Sequence, residues 1–236
     1  MRKYVIMGVQ GSGKGTQSAM LADLDIVHIS VGDLFRWHVA QHTKLGGQVR
    51  RLMAEGRLVP DEITRSVVRD RLDSHDWNYG FVLDGYPRDT AQAEFFLASY
   101  DIDAVIHLEL PDSEVRRRVE ERRRSAQCDA CGGPVVASQA REDDTEDALV
   151  VRLRDYHSKT GPVLDLFRDK GECVVSIDAR PAPEVVHQDI RTRLGLPAYK
   201  GKAALCGRSP SSAGAPIPSW PPTSARSCRC QGSPCG

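Results

Sequence analysis

The chain has 236 residues, with 32 Lys and Arg balanced by 32 Asp and Glu, so its formal net charge of zero excludes a general basic field drawing it to nucleic acid or acidic membranes. No apolar run approaches the roughly 20 residues needed to cross a bilayer as a helix, and the length suits one sizeable α/β domain with a small insertion. Met1-Arg2-Lys3 leads straight into a strand without a cleavable leader, so the expected address is the cytoplasm and no membrane partner is expected.

The first strand, residues 4–7, runs into Gly8-Val9-Gln10-Gly11-Ser12-Gly13-Lys14-Gly15-Thr16 and then a helical stretch over 17–23. Glycines at 8, 11, 13 and 15 allow positive dihedrals that turn backbone N–H groups inward, and Lys14 adds a full charge at a helix N-terminus. This is a phosphate cradle for ATP or GTP. Gly8 and Gly13-Lys14 fit the P-loop template, although Gly15 occupies the hydroxyl position and the hydroxyl comes one place later, at Thr16. A dinucleotide-binding count from Gly11 and Gly13 fails because Thr16 stands where its third glycine belongs.

Further short apolar runs at 26–29, 80–83, 104–108 and 173–177 read as buried parallel strands. Helical periodicity lies between them, with Val39, Leu45, Val49 and Leu52 along one stretch and Ile63, Val67, Val68 and Leu72 along another. The alternation predicts a doubly wound sheet of five parallel strands, with ligands outside the carboxyl ends of the strands. The second strand ends in Ser30-Val31-Gly32-Asp33 and the third in Asp84-Gly85-Tyr86-Pro87-Arg88. A strand-tip acid beside a P-loop suits the water shell of Mg²⁺, which is held by few carboxylates plus phosphate. Asp84 is the first candidate. Asp33 is the second, with the alternative that it caps a helix beginning at Leu34.

Phosphoryl transfer also needs planar, multiply donating cations, and arginine is abundant in suitable places. Arg36, Arg88, Arg118, Arg122, Arg141 and Arg152 are candidates. Most of the run Arg116-Arg117-Arg118 and Arg122-Arg123-Arg124 reads as a solvated helix face paired with Glu114, Glu120 and Glu121. Residues 201–236 hold 18 Gly, Pro or Ser among 36 and no acid, so the segment 200–236 reads as a disordered tail. Four of the seven cysteines fall there.

Taken together, the P-loop, Ile29-Ser30-Val31-Gly32-Asp33-Leu34-Phe35-Arg36, Gly56-Arg57-Leu58-Val59-Pro60-Asp61-Glu62, residues 80–88 with Gln92, and Arg141-x-Asp143-Asp144 resemble the adenylate kinase family over about residues 1–196. The resemblance implies a P-loop NTPase-type three-layer fold over 1–199, with a helical AMP-binding segment at 30–60 and a small lid at 125–140. It implies reversible phosphoryl transfer from Mg·ATP to AMP, and a monomer is expected. In that pattern Gly11, Ser12, Gly13, Lys14, Gly15 and Thr16 bind ATP with Arg118 and Arg122, while Val31, Arg36, Leu58, Val59, Gly85, Arg88, Gln92, Arg141 and Arg152 bind AMP. Arg141 and Arg152 join Lys14, Arg88 and Arg122 at the transferring phosphoryl.

Several positions depart from the family pattern. Val31 replaces a threonine beside the AMP base, and Gln10 stands where the loop usually has proline, which is expected to soften the loop. The lid is short, and Cys128-Asp129-Ala130-Cys131 looks like half of a zinc site, so structural zinc is not expected on ligand count. Alternatives are a nucleoside monophosphate kinase of other base preference, or a nucleotide-binding regulatory protein without transfer activity. His107 and His157 are expected on core elements, away from any metal.

Overall fold

The computed structural model describes residues 1–124 and 145–199. Five parallel strands, β1 (Lys3–Gly8), β2 (Ile26–Ser30), β3 (Gly80–Asp84), β4 (Ala104–Glu109) and β5 (Val174–Asp178), form one sheet in the order β2-β3-β1-β4-β5. The P-loop strand therefore lies at its centre, with β3 on one side and β4 on the other. Each expected strand is present, most of them a residue or so longer than the apolar run, because polar ends such as Ser30 and Asp84 still pair in the ladder.

Alternation along β1 shows why both faces are covered. Val5 and Met7 point to one apolar cluster with Phe81, Leu83 and Val105, whereas Tyr4 and Ile6 point to the other with Val82, Ile106 and Leu108. Each large apolar side chain so buried contributes roughly 1.5 to 3 kcal/mol. Helices supply the outer layers: α1 (Lys14–Met20), α2 (Val31–Ala40), α3 (Lys44–Ala54), α4 (Asp61–Asp73), α5 (Thr90–Ser99), α6 (Asp112–Arg124), α7 (Glu146–Asp155), α8 (Gly161–Asp169) and α9 (Pro183–Arg193). A 3-10 turn at Leu21–Leu24 follows α1, and a π-helical turn at Tyr156–Thr160 joins α7 to α8.

Three expectations need correction. The helix after the P-loop starts at Lys14 rather than residue 17, since the left-handed Gly13 (φ 92°) already occupies the N-cap. The apolar stretch from Val39 to Leu52 is two helices, because Thr43 caps α3 by accepting from the Gly46 N–H, and His42 turns left-handed (φ 52°) just before it. The close crossing of α2 and α3 leaves room only for glycine at 46, where a Cβ would lie 2.1 Å from the His38 carbonyl oxygen. Finally, His157 is not a core residue: its side chain is 58% exposed and pairs with Asp112 at 3.1 Å. The lid at 125–140 with Cys128 and Cys131, Arg141, and the tail at 200–236 lie outside the described residues.

Candidate active site

The site is built where β1, β2 and β3 end. Beyond β1 the loop turns through Gly8 (φ 149°), Gly11 (φ 81°) and Gly13 (φ 92°), and the Ser12 N–H closes it onto the Val9 carbonyl at 3.2 Å. At Gly8 glycine is needed for space, since a Cβ would sit 2.6 Å from the Leu108 carbonyl oxygen. At Gly13 and Gly15 a Cβ would meet nothing within 4 Å, so the loop is open on the side of the α1 N-terminus. Lys14 spans that opening, its Nζ donating to the Gly8 and Val9 carbonyls at 2.9 and 3.0 Å. Ser12 is buried, while Thr16 is exposed on the first turn of α1. A cradle of N–H groups, one ammonium and a helix N-terminus suits a chain of phosphates.

The ends of β2 and β3 carry two guanidinium groups on two glycines. Arg36 lies over Gly32, where a Cβ would be 3.2 Å from its Nη2, and Arg88 lies over Gly85 (φ 83°), again 3.2 Å from Nη2. The two glycines adjoin, with a Gly85 Cβ falling 3.9 Å from the Gly32 nitrogen. Arg36 is held by Asp33 through Nη2 at 2.7 Å and Nε at 3.1 Å, and Arg88 Nε donates to the Gly85 carbonyl at 2.8 Å. Asp33 is therefore no helix cap. That place belongs to Ser30, whose hydroxyl accepts from the Asp33 N–H as α2 begins at Val31.

Asp84, 14% exposed at its side chain, stands at the tip of β3 with the His28 ring 3.6 Å away. Burial pushes its carboxyl upward, but His28, Lys14 and Arg88 together outweigh that and hold it below the usual carboxylate range. His28 was not singled out from the sequence. In the register of the sheet His28 stands opposite Val82, two places before Asp84 and on the same face, so its ring reaches the acid diagonally across the strand pair.

Gln92 is buried on the first turn of α5, where Asp89 caps the helix by accepting from its N–H. Its Oε1 accepts from the Arg88 N–H at 2.9 Å. Val31 and Val59 lie in the apolar cluster beneath, and Leu58 is half-buried between them and solvent. On the other side of the P-loop, Arg118 of α6 donates from Nη2 to the carbonyls of Ala179 and Arg180 at 2.7 and 3.1 Å, close to Gly11. Arg122 lies one turn further along α6, with its side chain outside the described residues, as is Arg141. Arg117 pairs with Glu114 at 2.8 Å and with Glu121, and Arg116 with Glu146, so this part of the arginine run is a solvated face.

Arg152 of α7 completes the group, donating from Nη1 to Gln10 Oε1 at 2.9 Å and from Nη2 toward the Met53 carbonyl at 3.5 Å. Asp84 links the two groups, since Lys14 and Arg88 both act on its carboxylate, and the adjoining Gly32 and Gly85 bring Arg36 beside Arg88, which Gln92 in turn holds.

The family model described as adenylate kinase matches residues 6–172. The adenylate kinase of Streptomyces avermitilis is 40% identical to this chain over 79% of it and 94% of the relative. That of Streptomyces griseus subsp. griseus is 41% identical over 75% and 90%. That of Streptomyces coelicolor is 36% identical over 84% and 98%.

Proposed function

The chain belongs to the adenylate kinase family, and on that premise we propose that it moves the γ-phosphoryl of Mg·ATP reversibly to AMP, giving two ADP, through the residues gathered at the ends of β1, β2 and β3. The observation that carries this reading is the glycine-backed pair Arg36 and Arg88, one on α2 just after β2 and one in the loop just after β3, with Lys14 opening α1 after the loop that follows the adjoining β1. One phosphate cradle would serve any nucleotide-binding protein. A second cationic grip beside it supplies a place for the phosphate of an acceptor.

In this reading an oxygen of the AMP phosphate attacks the γ-phosphorus, the bond to the β-γ bridging oxygen breaks, and the departing oxygen belongs to ADP. Lys14 and the amides of Gly11, Ser12, Gly13, Gly15 and Thr16 hold the donor phosphates, with Arg118 beside the donor base. Arg36 and Arg88 hold the acceptor phosphate. Gln92 reads the acceptor base, with Val31, Leu58, Val59 and Gly85 shaping the wall around it. Arg122, Arg141 and Arg152 meet the charge that spreads over the transferring group. No side chain has to take a proton in a costly step, so positioning and charge account for the rate.

The donor set fits magnesium, a hard cation that takes oxygen ligands and keeps several waters. Asp84, held as a carboxylate, and Asp33 would hold it through water, and the metal would supply positive charge to offset that of the donor phosphates. The same proposal takes residues 1–199 as the kinase unit, acting as a cytoplasmic monomer on free nucleotides. Among the described residues no helix is long and apolar enough to cross a membrane.

The test is ADP formation by the purified chain from ATP with AMP, CMP, UMP or GMP. AMP is expected to be the best acceptor, and a different best acceptor, or none, overturns the reading. Removing residues 201–236 is expected to leave the rate unchanged.

A further inference from the structure

Gln10 interrupts a loop otherwise made of glycine and small residues, and its side chain leaves the loop to meet α7. Its Oε1 accepts from Arg152 Nη1 at 2.9 Å, 142 positions away in sequence. The second guanidinium nitrogen reaches toward the Met53 carbonyl, in the last turn of α3, at 3.5 Å. One turn earlier on the same face of α7, Ala148 packs against Gly56, so closely that a Cβ at 56 would lie 2.6 Å from the Ala148 carbonyl oxygen. Gly56 is left-handed (φ 70°), which lets the chain turn away from that contact. Two successive turns of α7 thus meet the end of α3 and the turn that follows it, and Arg152 extends from the second to the phosphate loop.

A guanidinium is planar, so acceptors on two of its nitrogens fix both its position and its plane. We propose that Gln10 is a positioning residue for Arg152, setting the plane of the guanidinium against the phosphate loop and thereby the rate of transfer rather than the affinity for either nucleotide. The inference rests on the proposed meeting of Arg152 with the transferring phosphoryl. It reverses the expectation that glutamine in place of proline merely softens the loop: proline has no side-chain acceptor to offer Arg152, whereas this side chain ties the loop to α7.

The experiment is steady-state kinetics of the full chain carrying Gln10→Leu, Gln10→Ala, Gln10→Glu, Arg152→Lys, or Gln10→Leu with Arg152→Lys, with thermal unfolding recorded for each. Gln10→Leu and Gln10→Ala are each expected to lower kcat about tenfold, the equivalent of one hydrogen bond to a charged group, with both KM values within about twofold. Gln10→Glu keeps an Oε1 acceptor and is expected to hold kcat within about threefold of the parent. In the double variant, Gln10→Leu should add nothing to the loss from Arg152→Lys, because residues acting as one unit are not additive.

An unchanged kcat in Arg152→Lys overturns the role proposed for Arg152 itself. If Arg152→Lys is slow while the Gln10 variants match the parent, or if the two losses multiply, the role of Arg152 stands and the positioning role of Gln10 falls. A rise in KM for ATP at constant kcat would make Gln10 a shaper of the loop and overturn the inference equally.

Discussion

Asp61, on the first turn of α4, accepts a hydrogen bond from Gln92 Nε2 at 2.6 Å, while Arg88 N–H donates to Oε1 of the same amide at 2.9 Å. The two contacts distinguish the ends of the carboxamide, so its oxygen and nitrogen are held in one order. Asp61→Ala removes the partner that makes flipping costly. The expected result is a loss of about tenfold in the preference for AMP over the other monophosphates, corresponding to roughly 1.5 kcal/mol for one charged hydrogen bond. Competition assays with paired monophosphates read this directly.

Gly56 combines a left-handed backbone with the close approach to Ala148. Gly56→Ala therefore adds conformational strain to a steric overlap with backbone, and the two together are expected to cost about 2 to 4 kcal/mol. Urea unfolding measures the loss. A lowered kcat should accompany it, because the overlap pushes α7 and Arg152 away from Met53.

Arg191, 2% exposed at its side chain, pairs with Asp23 at 2.8 Å between α9 and the 3-10 turn after α1. Removing either partner leaves a buried charge. Arg191→Leu is expected to cost about 3 to 5 kcal/mol, and Asp23→Leu with Arg191→Leu less than the sum of the two single changes. Equilibrium denaturation of the three variants tests that order.

His187 is buried beside the same pair, with its rings of contact completed by Gln17 of α1 at 3.1 Å and Arg191 at 3.2 Å. Burial, reinforced by the Arg191 charge and only partly opposed by Asp23, pushes the imidazole down to about 4. Between that value and the ordinary 6.5 the unfolded chain binds a proton that the folded chain does not, so stability rises with pH there. This one group is expected to remove on the order of 2 kcal/mol as the pH falls from 6.5 toward 4, and His187→Gln should flatten that part of a stability profile measured by urea unfolding.

Residues whose role depends on their own segment were the most legible. The glycine pattern with Lys14, and the apolar runs at Val5, Val82 and Ile106, announce a loop and strands locally, and the parallel sheet follows from alternation with helices. The break at Thr43 was harder, since apolar periodicity continues through it and only the capping hydroxyl and the left-handed His42 interrupt it. Ser30 and Asp33 are both good capping residues three places apart, and only the pairing of Asp33 with Arg36 assigns the cap to Ser30. Contacts between distant segments left no local mark. His28 with Asp84, Asp61 with Gln92, and Gln10 with Arg152 are each made by ordinary polar residues that only the register of the sheet and the packing of α4 and α7 bring together.

The placement of β1 between β3 and β4 bears on how the chain is made. The strand that carries the phosphate loop leaves the ribosome long before either neighbour, and its two edges are covered only once Phe81 to Asp84 and then Ala104 to Leu108 have been synthesised. At about 5 to 20 residues per second, an apolar strand with both ladders open persists for several seconds. During that interval it is a template for any other exposed strand. The most precisely shaped part of the enzyme is thus also the part that nascent-chain chaperones have most reason to shield.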